Sequence, residues 1–300
     1  MKQYKQEKKI MKIAYCMHYI GTSFDELSEN LDTLIEFGDD VFVMINDDDL
    51  RDQIVITYAD EPAVHVSQVQ QQALAGDLSL PRGQIVQLRN AFDAQVNEKK
   101  HYDRFVLMTD GMMPVRSRKD IVSYFEKHEG KDIYYVLSDS DTDGSIAKRF
   151  ESYAFFTNTM SFQKSAMVKG MNAMTSKLVH SFKQRRIDDT LVLSYPWFVL
   201  TPQSARTLAD AFPYCSNTFK MCLYPEELAI ATTLRKFSPV EHVNENIWVC
   251  GKSGEYVMQK PFEPTTLETI AAHPDALFAT KIKSDQNFDV YQDYFDAYLK

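Results

Sequence analysis

Short apolar runs of strand length alternate with stretches of helical periodicity in this chain, and that alternation restricts the folds it can adopt. The strand-length runs cover residues 12–17, 41–45, 105–108 and 133–137. Between them, residues 24–35 and 84–96 carry apolar side chains at three- and four-residue spacing, which is typical of helices. Strands separated by helices predict an α/β fold with a mixed, largely parallel sheet and right-handed crossovers.

The length and apolar content of the chain indicate one sizeable folded unit. With 300 residues, of which 44% are hydrophobic, the chain can bury a large core. No repeat or linker divides the sequence, so residues 11–300 are predicted to form a single domain that ends in a helix. Residues 1–10 are polar and basic, and Met11-Lys12 repeats the opening Met1-Lys2. We therefore expect residues 1–10 to be a disordered tail.

Charge and cysteine usage restrict the compartment and the partners. A net charge of −9 argues against bulk binding to nucleic acid or to anionic lipid. No segment approaches the roughly 20 apolar residues that span a bilayer, and no signal peptide is evident. The cysteines lack CxxC spacing and are predicted to be buried free thiols in a reducing compartment: Cys16, Cys215, Cys222 and Cys250. These features predict a soluble, cytoplasmic protein.

Polar and acidic residues follow several predicted strands, at the rim where α/β folds bind their ligands. They occupy residues 46–49, 109–114 and 138–144. Asp139 and Asp141 form an Asp-x-Asp pattern there, and hard carboxylate oxygens suit Mg²⁺ or Mn²⁺. Acidic residues are also ordinary in solvated turns after strands, and this interpretation is favoured.

Later in the chain, a strand with an embedded tryptophan is followed by paired carboxylates. Residues 194–201 form an apolar strand around Trp197, and Glu226 and Glu227 come directly before the helical run of residues 228–234. A carboxylate fixed at the start of a helix, close to a sheet edge, can act as a general base. The same residues also fit favourable charges in the first turn of a helix, and Trp197 also fits a core position.

Short motifs in the first half of the chain are similar, in type and order, to those of one known protein family. Residues 11–15 and 41–47 look like two opening strands, and residues 82–86 are similar to a Trp-Gly-x-x-x-Val helix start. Residues 107–117 are similar to a Leu-x-Ser-Gly-x-Asp-x-Pro-Ile-x-Ser segment that contains Thr109 and Asp110.

The second half continues the same order. Its motifs are the Trp197 strand, the Pro225-Glu226-Glu227 motif and Trp248. Residues 277–282 come last and look like a closing Leu-Phe-Ala-x-Lys-Phe motif. The chain thereby resembles the core-2/I-branching β-1,6-N-acetylglucosaminyltransferase-like family (glycosyltransferase family 14), as a bacterial member. It departs from the family pattern at Arg82, Met112 and Glu226, where Trp, Asp and Asp are usual.

This resemblance implies a GT-A-like fold and metal-independent, inverting transfer of a sugar from a nucleotide donor. It implies Glu227 as the base, Lys281 and Lys260 as diphosphate ligands, and Trp248 at the active site. We further expect Thr109 and Asp110 to contact the sugar nucleotide and Trp197 and Glu226 to face the sugar or acceptor. The implied partners are a nucleotide sugar, expected to be UDP-linked, and a glycan or lipid-linked glycan acceptor in surface polysaccharide or exopolysaccharide biosynthesis.

Two alternatives stay open at this point. One is a metal-dependent transferase that uses Asp139 and Asp141. The other is a catalytically inactive glycosyltransferase-like subunit that binds a partner, which the departures at Arg82, Met112 and Glu226 allow.

Two further segments carry predictions about surfaces. Residues 164–186 combine cations with a methionine-rich apolar stripe. An ordinary surface helix with an inward apolar stripe is favoured, and the alternatives are a peripheral contact with the inner face of a membrane or with a phosphorylated acceptor. Residues 288–299 are aromatic and are predicted to form a docking helix, with self-association as an alternative.

Overall fold

The computed structural model describes residues 10–74, 76–159, 165–256, 258 and 265–280. Several predictions concern residues outside these ranges. They are the tail up to residue 9, the cations Lys260 and Lys281, and the C-terminal helix at residues 288–299.

Within the described residues, a seven-stranded sheet forms the centre of the molecule. Its strands are β1 (Ile13–His18), β2 (Asp40–Met44), β3 (Val64–Val66), β4 (Arg104–Thr109), β6 (Asp132–Ile133), β9 (Phe198–Leu200) and β10 (His242–Val243), in the order β10-β6-β9-β4-β1-β2-β3. The pairs β1–β2, β1–β4, β2–β3 and β6–β10 are parallel, whereas β9 is antiparallel to β4 and β6. The prediction of a largely parallel α/β sheet is confirmed.

Helices follow most of the strands. They are α1 (Phe24–Glu36), α2 (Asp48–Thr57), α3 (Ser79–Asn97), α4 (Arg118–Lys127), α5 (Gly144–Glu151), α6 (Ala166–His180), α7 (Pro202–Asp210), α8 (Phe212–Phe219), α9 (Ala229–Phe237) and α10 (Leu267–Ala272). Ser23 caps α1 in a capping box with Glu26, which satisfies two backbone donors at the start of that helix.

Both faces of the central strands are buried. In β1, Ala14 and Cys16 belong to one apolar cluster, whereas Tyr15 and Met17 belong to another on the opposite face. Helices α3, α7 and α9 contribute to the first cluster, and helices α1, α2 and α4 contribute to the second. Burial on both faces explains why these strands are continuous apolar runs rather than alternating patterns.

Two small sheets accompany the central one. The first has the order β11 (Trp248–Cys250), β12 (Phe278–Thr280) and β5 (Met113–Pro114), and the second pairs β7 (Val136–Asp139) with β8 (Val192–Ser194).

The prediction of one strand at residues 133–137 was wrong. The chain leaves the central sheet after β6 and pairs with β8 as β7. The Asn244 side chain accepts from the Val136 N–H at 2.7 Å and donates to the Val136 carbonyl at 3.2 Å, which occupies both backbone groups at the crossing.

The prediction of an inward apolar stripe on the 164–186 helix was also wrong. Helix α6 is shorter, and its only buried residue is polar, Asn172. The Asn172 side chain accepts from the Phe155 N–H at 2.8 Å. Asn172 thus lies on the inward side of the helix, and the methionine stripe faces outward.

Two further expectations from the sequence concern the cysteines and membrane-spanning helices. All four cysteines are buried free thiols, as predicted. Among the described residues, the helices are too short or too polar to cross a bilayer.

Candidate functional site

The paired glutamates lie in a tight turn at the start of α9. Residues Pro225–Glu227 form a 3₁₀ turn, and Tyr224 before it has a left-handed backbone with φ of 51°. Such a conformation is uncommon for a residue other than glycine and carries a cost of about 1 kcal/mol or more. Both carboxylates are buried, with Glu227 fully inaccessible.

Glu227 is bound through both carboxylate oxygens. Arg149 of α5 donates to Oε2 at 2.8 Å, and the Tyr256 hydroxyl donates to Oε1 at 3.2 Å. Burial raises the pKa of Tyr256 well above its ordinary value, so its hydroxyl stays a neutral donor. Among the described residues, a cation thus contacts one oxygen of this carboxylate and a neutral hydroxyl contacts the other.

Arg149 also stabilises the unusual turn. Its guanidinium donates to the carbonyl oxygens of Tyr224 at 2.6 Å and Leu223 at 3.2 Å. One planar cation therefore fixes the backbone before the turn and the carboxylate at its end, which uses the fork geometry of arginine.

Glu226 lies in a different environment from its neighbour. Its Oε1 accepts from the Gly76 N–H at 2.7 Å, whereas its buried Oε2 has no hydrogen-bond partner among the described residues. Desolvation by burial raises the pKa of Glu226 to about 8, against an ordinary value of 4.5. Two adjacent glutamates thus differ in their chemistry, since Glu227 faces a cation and Glu226 is held where a neutral carboxyl is favoured.

An aromatic cluster connects Glu227 to both tryptophans. The Tyr256 ring lies 5.4 Å from Trp197 and 5.3 Å from Tyr195, and Trp197 lies 6.2 Å from Trp248. Tyr195 Oη also accepts from the Tyr256 N–H at 3.2 Å. The structure therefore brings together three residues that the sequence selected, Glu227, Trp197 and Trp248, through a residue that it did not select, Tyr256.

The rim of the central sheet carries the predicted residues Thr109 and Asp110. Asp110 follows β4 and accepts from the N–H groups of Ile20, Gly21 and Thr22 in the loop after β1. Thr109 is buried, and within the part of the chain that the structure describes its hydroxyl has no hydrogen-bond partner. The sheet order reverses between β1 and β4, and such a reversal is where open α/β sheets bind ligands.

The start of α3 approaches the same rim closely. A Cβ atom on Gly83 would lie 2.1 Å from Nδ1 of His18, so only glycine fits. Next to it, Gln84 donates to the Pro196 carbonyl at 3.0 Å, immediately before Trp197. Burial lowers the pKa of His18, and its Nε2 lies 2.7 Å from the Gln71 carbonyl oxygen.

Asp139 and Asp141 lie in a separate turn after β7. Asp139 Oδ1 accepts from the N–H groups of Asp141 and Thr142, and its Oδ2 lies 3.1 Å from Arg235. The Thr142 hydroxyl, which bonds the carboxylate, is the main reason that the pKa of Asp139 is lowered. Across the described ranges, no three His, Cys, Asp or Glu side chains are grouped to hold a metal ion.

Comparisons of the sequence with models of known protein families and with curated proteins find no match.

Proposed function

We propose that this chain is a glycosyltransferase with a GT-A-like fold that transfers a sugar, with inversion, from a nucleotide sugar to a carbohydrate acceptor. The observation that carries the proposal is the buried pair of Glu227 and Arg149 at the start of α9, bordered by the ring cluster of Tyr256, Trp197 and Trp248. Aromatic faces suit the apolar faces of sugar rings, and a fixed carboxylate suits proton removal from a sugar hydroxyl.

The proposed reaction is a single displacement. An acceptor hydroxyl takes the place of the Tyr256 hydroxyl on Glu227 Oε1, where the phenol now donates at 3.2 Å. Its oxygen forms the bond to the anomeric carbon while the bond from that carbon to the diphosphate breaks. The proton passes to Glu227, and the nucleoside diphosphate leaves with the bonding electrons.

The leaving diphosphate needs a preorganised positive charge. Lys281 follows Thr280, the last residue of β12, and β12 pairs in parallel with the strand of Trp248. The rings of Phe278 and Trp248 stack at 5.8 Å across these strands. This position in the chain supports Lys281 as the proposed diphosphate ligand, with Lys260 as a second cation.

A panel of nucleotide sugars tests the proposal. The wild-type protein should hydrolyse or transfer at least one donor and should be stabilised thermally by the corresponding nucleoside diphosphate. Nucleotide binding without turnover of any donor would instead identify an inactive binding subunit. Absence of both binding and turnover across the panel would contradict the proposal.

A further inference from the structure

Helix α6 and the turn after it present apolar side chains to the outside. Met167, Met171, Met174 and Leu178 share one face because they are spaced by four, three and four residues. Their exposed fractions are 72%, 44%, 71% and 62%, and Phe182 after the helix is 85% exposed. Five large apolar side chains in one line form an unusually concentrated exposed patch.

Helix α6 contacts the rest of the protein through its opposite side. Asn172 points inward and bonds to the Phe155 backbone. The methionine stripe therefore contributes little to the core, and its removal should leave the fold intact.

The charges within the segment that carries the stripe have one sign. Residues 165–187 contain no Asp or Glu, although the whole chain has a net charge of −9. The exposed cations in this segment are Lys169, Lys177, Lys183 and Arg186. The neighbouring Arg185 is buried and stacks on the Phe150 ring at 4.2 Å.

A basic recess follows the helix directly. Its volume is about 490 Å³, and Gln184, Arg186, Asn217 and Lys220 line it. Exposed Arg186 and Lys220 add positive charge where the apolar segment ends. Cationic and amide donors in an open recess suit a phosphate-bearing group.

We propose that α6 and its following turn dock the protein on a membrane surface that contains anionic lipid. An interfacial helix places apolar side chains at the acyl boundary and cations at the headgroup phosphates, which matches the two features of this segment. Methionine side chains are flexible enough to enter such a boundary without a shaped groove. This docking surface does not depend on the proposed reaction.

Vesicle sedimentation of the full chain tests the proposal. Wild-type protein should bind phosphatidylcholine vesicles that contain phosphatidylglycerol, bind pure phosphatidylcholine weakly, and dissociate at high salt. Lys169→Gln/Lys177→Gln/Lys183→Gln should weaken binding roughly 100-fold. Met167→Ser/Met174→Ser should weaken it at least about 10-fold.

Matched controls use exposed residues elsewhere. Two control variants change the same residue classes at other surface positions, and both should bind vesicles like the wild type. They are Lys119→Gln/Lys127→Gln/Lys252→Gln and Ile56→Ser/Val96→Ser. Equal losses in the control and test variants would overturn the proposal, as would equal wild-type binding to both vesicle types. So would self-association of the wild-type protein without vesicles that disappears in Met167→Ser/Met174→Ser, since a second copy would then be the occupant.

Discussion

Arg149 donates to three acceptors around the glutamate turn, the Glu227 carboxylate and the carbonyls of Leu223 and Tyr224. Its partner Glu227 is fully buried, and the Arg149 side chain is only 15% exposed. Arg149→Met would remove this cation from a buried carboxylate, so we expect a loss of about 3–5 kcal/mol in the free energy of unfolding. Urea denaturation at neutral pH measures it.

The double variant Arg149→Met/Glu227→Gln is the control for this prediction. It removes both charges, so it should recover much of the stability lost in the single variant. A double variant as unstable as Arg149→Met would show that the backbone contacts of Arg149, rather than its charge pair, dominate.

The role of Glu227 as base has its own test. Glu227→Gln keeps the shape and the contact with Tyr256 but removes the proton acceptor, so turnover should fall at least roughly 100-fold while donor affinity stays unchanged. Steady-state kinetics and calorimetry measure the two effects. Full activity in Glu227→Gln, with loss in Glu226→Gln, would move the base to the neighbouring residue.

Glu226 predicts a pH dependence of stability. Because its folded pKa of about 8 lies above the ordinary 4.5, the folded state binds a proton that the unfolded state has lost between these values. Stability should therefore fall as pH rises from about 5 to 8, by up to about 5 kcal/mol at full titration. Glu226→Gln should show a flatter stability profile by urea denaturation; an identical slope would remove Glu226 as the cause.

At the scale of elements, the approach of α3 to β1 depends on one glycine. A Cβ on Gly83 would overlap the buried His18 ring at 2.1 Å, so Gly83→Ala should destabilise the protein by about 1–3 kcal/mol. Among the described residues, nothing outside its chain neighbours and its own helix backbone lies within 4 Å of the Cβ position of Gly170 in exposed α6. Gly170→Ala should instead stabilise by up to about 1 kcal/mol, and thermal melting compares the two. Equal effects would contradict the close-approach argument.

The elements that could be predicted from the sequence are those that the chain specifies locally. Strands β1, β2 and β4 were predicted because burial on both faces requires continuous apolar runs. The break between β6 and β7 could not be predicted, because it depends on the hydrogen bond of Asn244 to Val136, which is 108 residues away in the sequence. Arg149 was missed for the same reason, since it meets Glu227 across 78 residues.

At the scale of the whole molecule, three regions have different expected roles. The reversal of sheet order between β1 and β4 is the expected ligand edge, the glutamate turn supplies the candidate base, and α6 supplies the proposed membrane contact. The proposed transfer to a lipid-linked acceptor would benefit from such a contact, because the acceptor would then be confined to the same surface as the protein.

Dependence of activity on a metal ion distinguishes the proposed mechanism from the metal-dependent alternative. Asp139 and Asp141 bond to Thr142, Thr190 and Arg235 in an exposed turn, and exposed charge pairs contribute at most about 1 kcal/mol. Asp139→Asn and Asp141→Asn should therefore reduce transfer activity only slightly, and transfer should persist in excess EDTA. If these carboxylates hold Mg²⁺ or Mn²⁺ against the diphosphate, either substitution removes a hard ligand and activity collapses. Loss of transfer in EDTA that Mn²⁺ restores would establish the metal-dependent mechanism instead.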